Sequence, residues 1–154
     1  MAKQQRILRL TQKQKAIAYL MQKLGTRTEG RKKLMKLMFL VEHYDPQKGR
    51  LVKKGLLKNN FIIYRYGVFS FDVMRDYTSL IKRDIVDERL MRVIHEIPII
   101  DETITSRIDQ IVSNFGLESP SNLEGSTLSM LQPPLNKQTK LEHFGEDVIP
   151  LIPP

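Results

Sequence analysis

The sequence predicts a mainly α-helical domain carrying a small antiparallel β-sheet. Three observations lead there. Apolar residues recur at helical spacing in four stretches, bounded by residues suited to helix ends. The run Phe61 to Tyr66 alternates, with Phe61, Ile63 and Arg65 on one side and Ile62, Tyr64 and Tyr66 on the other, which marks a strand. Between Asp84 and Ile100, apolar and β-branched residues flank a turn at Asp87-Glu88-Arg89, which marks a hairpin.

Residues 1–10 alternate basic and apolar and read as an arm or the lead-in to the first helix. Thr11 caps that helix, Ala16, Ile17, Leu20, Met21 and Leu24 form its stripe, and Gly25 ends it. A second helix spans about Glu29 or Gly30 to Tyr44. Leu34, Met35 and the run Leu37 to Val41 leave almost no polar face in its centre, so it is predicted to be buried nearly all round. Arg31, Lys32 and Lys33 sit in its first turn, where cations oppose the helix dipole at a few tenths of a kcal/mol each. Asp45-Pro46 stops it, and a basic, turn-rich loop leads to Asn60. Gly67 breaks the strand that follows. Ser70 then caps a third helix of about residues 70–83, with its stripe on Val73, Tyr77, Leu80 and Ile81. In the hairpin, Pro98 sets the second strand at an edge or ends it. Asp101 or Thr103 starts a fourth helix with Ile104, Ile108, Ile111, Val112 and Phe115 inward, closed by Gly116. Ser119-Pro120 opens a short helix to about Leu131, and Gln132-Pro133-Pro134 breaks it. Residues 140–148 hold one or two more turns, and the final Pro-rich segment packs on the body or meets a partner.

With 154 residues and 41% hydrophobic content, the chain can bury one core. The division that follows is a domain over residues 1–116 and a helical, Pro-rich extension over 117–154. The chain has no cysteine, which excludes disulfides, thiol nucleophiles and thiolate metal sites. No apolar stretch approaches the ~20 residues of a membrane helix. The first six residues lack the apolar core of a signal peptide. The expectation is a cytoplasmic protein with no membrane partner.

The net charge is +8, unevenly spread. Residues 1–60 hold 16 Lys+Arg against 3 Asp+Glu, whereas residues 61–116 net −2 and residues 117–154 net −3. A basic half suggests a polyanion-facing surface, nucleic acid most simply, with a merely solvated basic face as the bland alternative. The order helix, helix, strand, helix, hairpin, helix is that of a winged-helix-like domain, in which the third helix reads DNA and the hairpin is the wing.

Two blocks also resemble a known family. Lys33-Leu34-Met35-Lys36-Leu37-Met38-Phe39-Leu40 is followed by Phe61, Tyr64, Tyr66, Gly67, Phe69 and Ser70, then Val73, Asp76 and Leu80. This is similar to the Panacea or SocA-like antitoxin domain and its uncharacterised archaeal and bacterial relatives, over residues 30–116. One departure is Val68, where the family pattern has proline after the glycine. The resemblance implies a mostly helical domain with a small sheet. Some members neutralise a toxin by direct protein contact and others are regarded only as regulators, so the resemblance does not choose between DNA and protein partners.

Catalytic signals are absent from the sequence. His43, His95 and His143 have no metal-ligand spacing, and there is no phosphate-cradling Gly-rich loop or G-x-S-x-G elbow. Asp72 with Asp76, and Asp84 with Glu88, are carboxylate pairs four apart, but beside Arg75, Arg83 and Arg89 they read as solvated salt bridges. No enzyme, cofactor or metal is predicted.

The leading expectation is a non-enzymatic DNA-binding protein, a transcriptional regulator or chromatin-associated factor. Its contacts are drawn from the arm (Lys3, Arg6, Arg9), the second helix (Arg31, Lys32, Lys33, Lys36) and the loop (Arg50, Lys53, Lys54, Lys58). The third helix adds Arg75, Lys82 and Arg83, and the wing Arg89 and Arg92. Asp72 and Asp76 on the exposed face of the third helix weaken base reading, so mostly phosphate contacts with steep salt dependence are predicted. Tyr64, Tyr66 and Phe69 are core residues, a stacking platform for single-stranded bases, or anchors for a protein partner. The alternatives are an antitoxin-like protein-interaction domain using Tyr64–Ser70 and the tail, or an accessory subunit of a nucleic-acid-processing complex docked through the tail. Dimerisation is not fixed by the sequence.

Overall fold

A computed structural model describes residues 9–98 and 100–154. Lys3 and Arg6 lie outside the described residues. Among the described residues five α-helices run in the order α1 (Gln12–Leu24), α2 (Arg31–His43), α3 (Phe71–Lys82), α4 (Glu102–Phe115) and α5 (Pro120–Ser129). The mainly α architecture with small antiparallel ladders follows the prediction.

Side chains set the helix starts. Thr11 and Gln14 form a reciprocal capping box on α1, so two otherwise orphaned amides are satisfied. Ser70 accepts from Val73 N at 3.2 Å to open α3, Asp101 caps α4, and Ser119 caps α5 ahead of Pro120. Gly25 and Gly116 close α1 and α4.

α2 is the spine. Every residue from Lys33 to His43 is buried. It packs on α4 and α5 and on the strand Gly67–Phe69, while α1 packs on α3 and α4. A single apolar cluster holds Leu20, Leu37, Phe39, Ile63, Leu80 and Ile108 together with Leu123, Leu128, Leu131, Leu135, Val148 and Ile152. Residues 117–154 therefore complete the same core rather than hang from it. The boundary expected at residue 116 is not a structural one.

Among the described residues three separate two-stranded ladders decorate the helices: β1 (Tyr44–Asp45) with β2 (Arg50–Leu51), β3 (Ile62–Tyr64) with β4 (Gly67–Phe69), and β5 (Val86–Asp87) with β6 (Arg92–Val93). The predicted strand ends at Tyr64 and turns back on itself. Gly67 begins the partner strand opposite Tyr64, with φ +93°, instead of only ending the first. The wing-like hairpin is shorter than expected, and β3 pairs with β4 and not with it.

The tail closes the free edge of β3. Ile63 N donates to Glu146 O (2.9 Å), Gly145 N to Ile63 O (2.7 Å) and Val148 N to Phe61 O (3.1 Å). Ile62 faces Asp147 across this bridge. No helix among the described residues is long and apolar enough to cross a membrane.

Candidate nucleic-acid interface

The outward face of α3 carries polar side chains beside a cluster of aromatic rings. Its inward stripe, Val73, Tyr77 and Leu80, is buried, and Asp76 turns inward with it. Asp76 is 7% exposed, its Oδ2 has no hydrogen-bond partner among the described residues, and burial pushes its carboxyl up. This corrects the expectation that Asp76 faces outward. Asp72 is also engaged: Oδ2 accepts the amide of Asn60 at 2.8 Å and Oδ1 lies 3.5 Å from Arg75. Phe71, Met74, Arg75, Thr78, Ser79, Lys82 and Arg83 line an open groove of about 620 Å³, in which Ser79 and Arg83 are half-buried and hydrogen-bonded to Gln14. A neighbouring cleft of about 520 Å³ joins Lys13 at the start of α1, Lys58 and Arg75, and Lys13 Nζ donates to Lys58 O at 3.3 Å.

Aromatic rings adjoin this face. The β3–β4 hairpin presents Tyr64 and Phe69, stacked at 5.0 Å and 29°. Phe144 from the tail stacks on Tyr64 at 5.2 Å and 23°. Phe71 stands edge-on to Tyr64 (5.7 Å) and Phe69 (4.9 Å). Tyr66 and Phe71 are each 60% exposed and Phe144 is 52% exposed. Tyr66 sits under two ammonium groups, Lys32 at 5.2 Å and Lys140 at 5.9 Å from its centroid. Beside it, Arg31, Lys32, Met35, Lys36, Phe69 and Met74 line a pocket of about 320 Å³. Met74 borders both this pocket and the α3 groove.

The basic cluster expected at the start of the second helix is dispersed. Lys33 is fully buried and donates to Gly116 O at 2.8 Å. Lys36 is 2% exposed and donates to Val68 O at 2.9 Å. Burial lowers its pKa to about 7, opposed by Glu124 and reinforced by Lys32 and Lys140. Neither reaches a surface phosphate, because helical register turns both into the core. Arg31 pairs through two nitrogens with Glu88 (2.6 and 2.8 Å) and ties the β5–β6 turn to α2. Lys32 and Lys140 converge on the buried Glu124, Lys32 at 2.7 Å. Burial pushes the Glu124 carboxyl up, but the hydrogen bonds from Lys140 and Lys32 outweigh it and leave it below the ordinary value.

Arg9, Arg50, Lys53, Lys54, Lys58, Arg89 and Arg92 are exposed as expected. Of these only Lys58 lines the clefts beside α3. Arg50 donates to Pro154 O at 3.3 Å. Among the described residues no three His, Asp or Glu side chains cluster as a metal site.

Sequence reasoning missed Phe71, Phe144, Lys140 and Glu124. Phe71 had a signal: it follows the Ser70 cap, off the stripe set by Val73 and Tyr77. The other three meet their partners only through the fold of the tail. Comparison with family models, curated proteins and solved structures returns no match. The resemblance to the Panacea or SocA-like domain rests on its motif residues alone.

Proposed function

We propose that this protein binds DNA without catalysing a reaction on it, as a regulator or chromatin-associated factor, through the outward face of α3. The observation that carries this reading is the burial of Asp76, one of the two α3 carboxylates. Asp72 is held by Asn60 and paired with Arg75, while Arg75 and Lys82 stay exposed beside Thr78 and Ser79. Lys13 and Lys58 extend the same positive strip. Cations beside hydroxyls suit phosphate oxygens. The test is a titration of the full chain with duplex and single-stranded DNA at two salt concentrations. Binding that weakens steeply with salt, and weakens further in Arg75→Ala and Lys82→Ala, supports the reading. No binding at about 50 mM salt overturns it.

A protein-interaction role has its own support. The two segments that role requires, Tyr64–Ser70 and the tail, meet in the Tyr64–Phe144 stack. Leu141 and Phe144 are exposed there, although Val148 and Ile152 are buried against the protein's own core and are not free for a partner.

A further inference from the structure

Four outward residues of α3 lie on one helical ridge: Phe71, Arg75, Thr78 and Lys82, at spacings of four, three and four. Over the eleven steps from Phe71 to Lys82 this ridge is roughly 16 Å long. It begins with an exposed aromatic ring and continues with cations. We infer that the ridge holds single-stranded nucleic acid in preference to duplex, with an unpaired base stacked on Phe71 and the following phosphates on Arg75 and Lys82. This rests on the nucleic-acid reading above and names the form of its ligand.

The argument is one of ring access and rigidity. A base inside a duplex has both faces covered by its neighbours, so only an unpaired base can offer a face to a protein ring. Phe71 is 60% exposed, yet its ring is held in T-shaped contact with Tyr64 and Phe69, which are themselves stacked. Little side-chain freedom remains to be lost on binding. A helix that reads duplex bases needs Arg, Lys, Asn or Gln at its groove-facing start. Here those positions are Phe71 and Met74, which have no N–H or O–H donor and only a weak thioether acceptor for a base edge. The charge pattern sets direction. Glu142 and Glu146 are exposed two residues either side of Phe144, so phosphates are repelled on the tail side and drawn along α3. Phe144 thus supports the platform through Tyr64 and is not the primary stacking ring.

The chain has no tryptophan, so Phe71→Trp introduces a sole indole reporter. Fluorescence anisotropy would compare a labelled oligo-dT with a duplex of the same length, for the full chain, F71A, F71W and K82E. The expected pattern is tighter binding of oligo-dT by the unaltered chain and about a tenfold loss for F71A on oligo-dT alone. F71W should retain binding, with indole emission quenched by oligo-dT but not by tripolyphosphate. K82E should weaken both DNA forms. Equal binding of both forms, with F71A without effect, overturns the inference and leaves the DNA reading standing. Binding of neither form overturns both and favours a protein partner on this surface. Far-ultraviolet circular dichroism of each variant separates lost binding from lost fold.

Discussion

Glu42 Oε2 accepts the backbone amide of Leu57 at 2.6 Å. The same carboxylate accepts from Lys58 N at 3.0 Å and Asn59 N at 2.9 Å, all from a fully buried position in α2. One side chain of the spine therefore shapes the loop that carries Lys53, Lys54 and Lys58. Lys58 adopts φ +62° to bring its amide to the carboxylate. Glu42→Ala would strand several amides, two of them on buried residues. It should cost about 3 kcal/mol or more, a fall in melting temperature of roughly 10 °C. Gly55→Ala should act in the same direction, because a Cβ there overlaps Glu42 Oε2. Thermal unfolding of either variant at the unaltered temperature would refute this account of the loop.

Lys36 predicts an unusual dependence on alkaline pH. Its pKa is about 7 in the fold against 10.5 for an ordinary lysine, so between those values the unfolded chain binds more protons than the folded one. Stability should therefore rise as pH goes from about 7 toward 10, and the burial cost is present in full below about 7. His43, lowered by burial, acts with the same sign at pH below its ordinary 6.5. Urea midpoints at about pH 7 and pH 9 test this. Lys36→Met should flatten the slope, and a flat profile in the unaltered chain would contradict the buried amine.

Glu124 gives a slope of the same sign at acid pH from the opposite cause, because here the fold favours the charged form. Its carboxyl is held below the ordinary value, so its stabilisation is present above that value and is lost as pH falls through the lowered one. Glu124→Gln leaves Lys32 and Lys140 without their counter-charge and should cost about 2 kcal/mol at neutral pH. The variant should also show a shallower acid-unfolding curve. Calorimetry across about pH 3 to 7 reads both effects, and an acid limb unchanged by the substitution would dismiss the pair.

Arg31 and Lys82 separate two origins of any affinity for DNA. Arg31 is already bidentate on Glu88, whereas Lys82 lines the open groove. Lys82→Ala should lower the salt slope of binding by about 1, and Arg31→Ala should leave it almost unchanged. The reverse result would restore the start of α2 as the contact surface.

Much of the fold was legible in the sequence. Thr11, Ser70, Asp101 and Ser119 are capping residues ahead of periodic stripes, and each caps the helix it precedes. The all-apolar centre of α2 marked the spine. Alternation at 61–66 and the turn at Asp87-Glu88-Arg89 signalled β3 and the β5–β6 hairpin, but the β1–β2 ladder and the pairing of β3 with β4 were not legible, because runs of two or three residues have no period to detect. The site was half legible. Arg75 and Lys82 are where an amphipathic α3 puts them, but Lys33 and Lys36 carry the residue type of a surface and the position of a core. What decides between them is two backbone carbonyls, Gly116 O and Val68 O, which no local pattern reveals. The final Pro-rich segment, expected to pack on the body or meet a partner, packs on the body through Val148 and Ile152. Removing residues 145–154 deletes three ladder bonds and buried Val148 and Ile152, a loss of roughly 6 kcal/mol, within the range of a whole domain's stability.

The strand edge of β3 is finished by residues 145–148, some eighty positions downstream. Translation delivers the hairpin seconds before its partner segment. During that interval an open, aromatic-rich edge sits on the nascent chain, the kind of surface chaperones shield and aggregates capture. Synthesis speed across α4 and α5 thus sets how long each molecule spends exposed before it can settle.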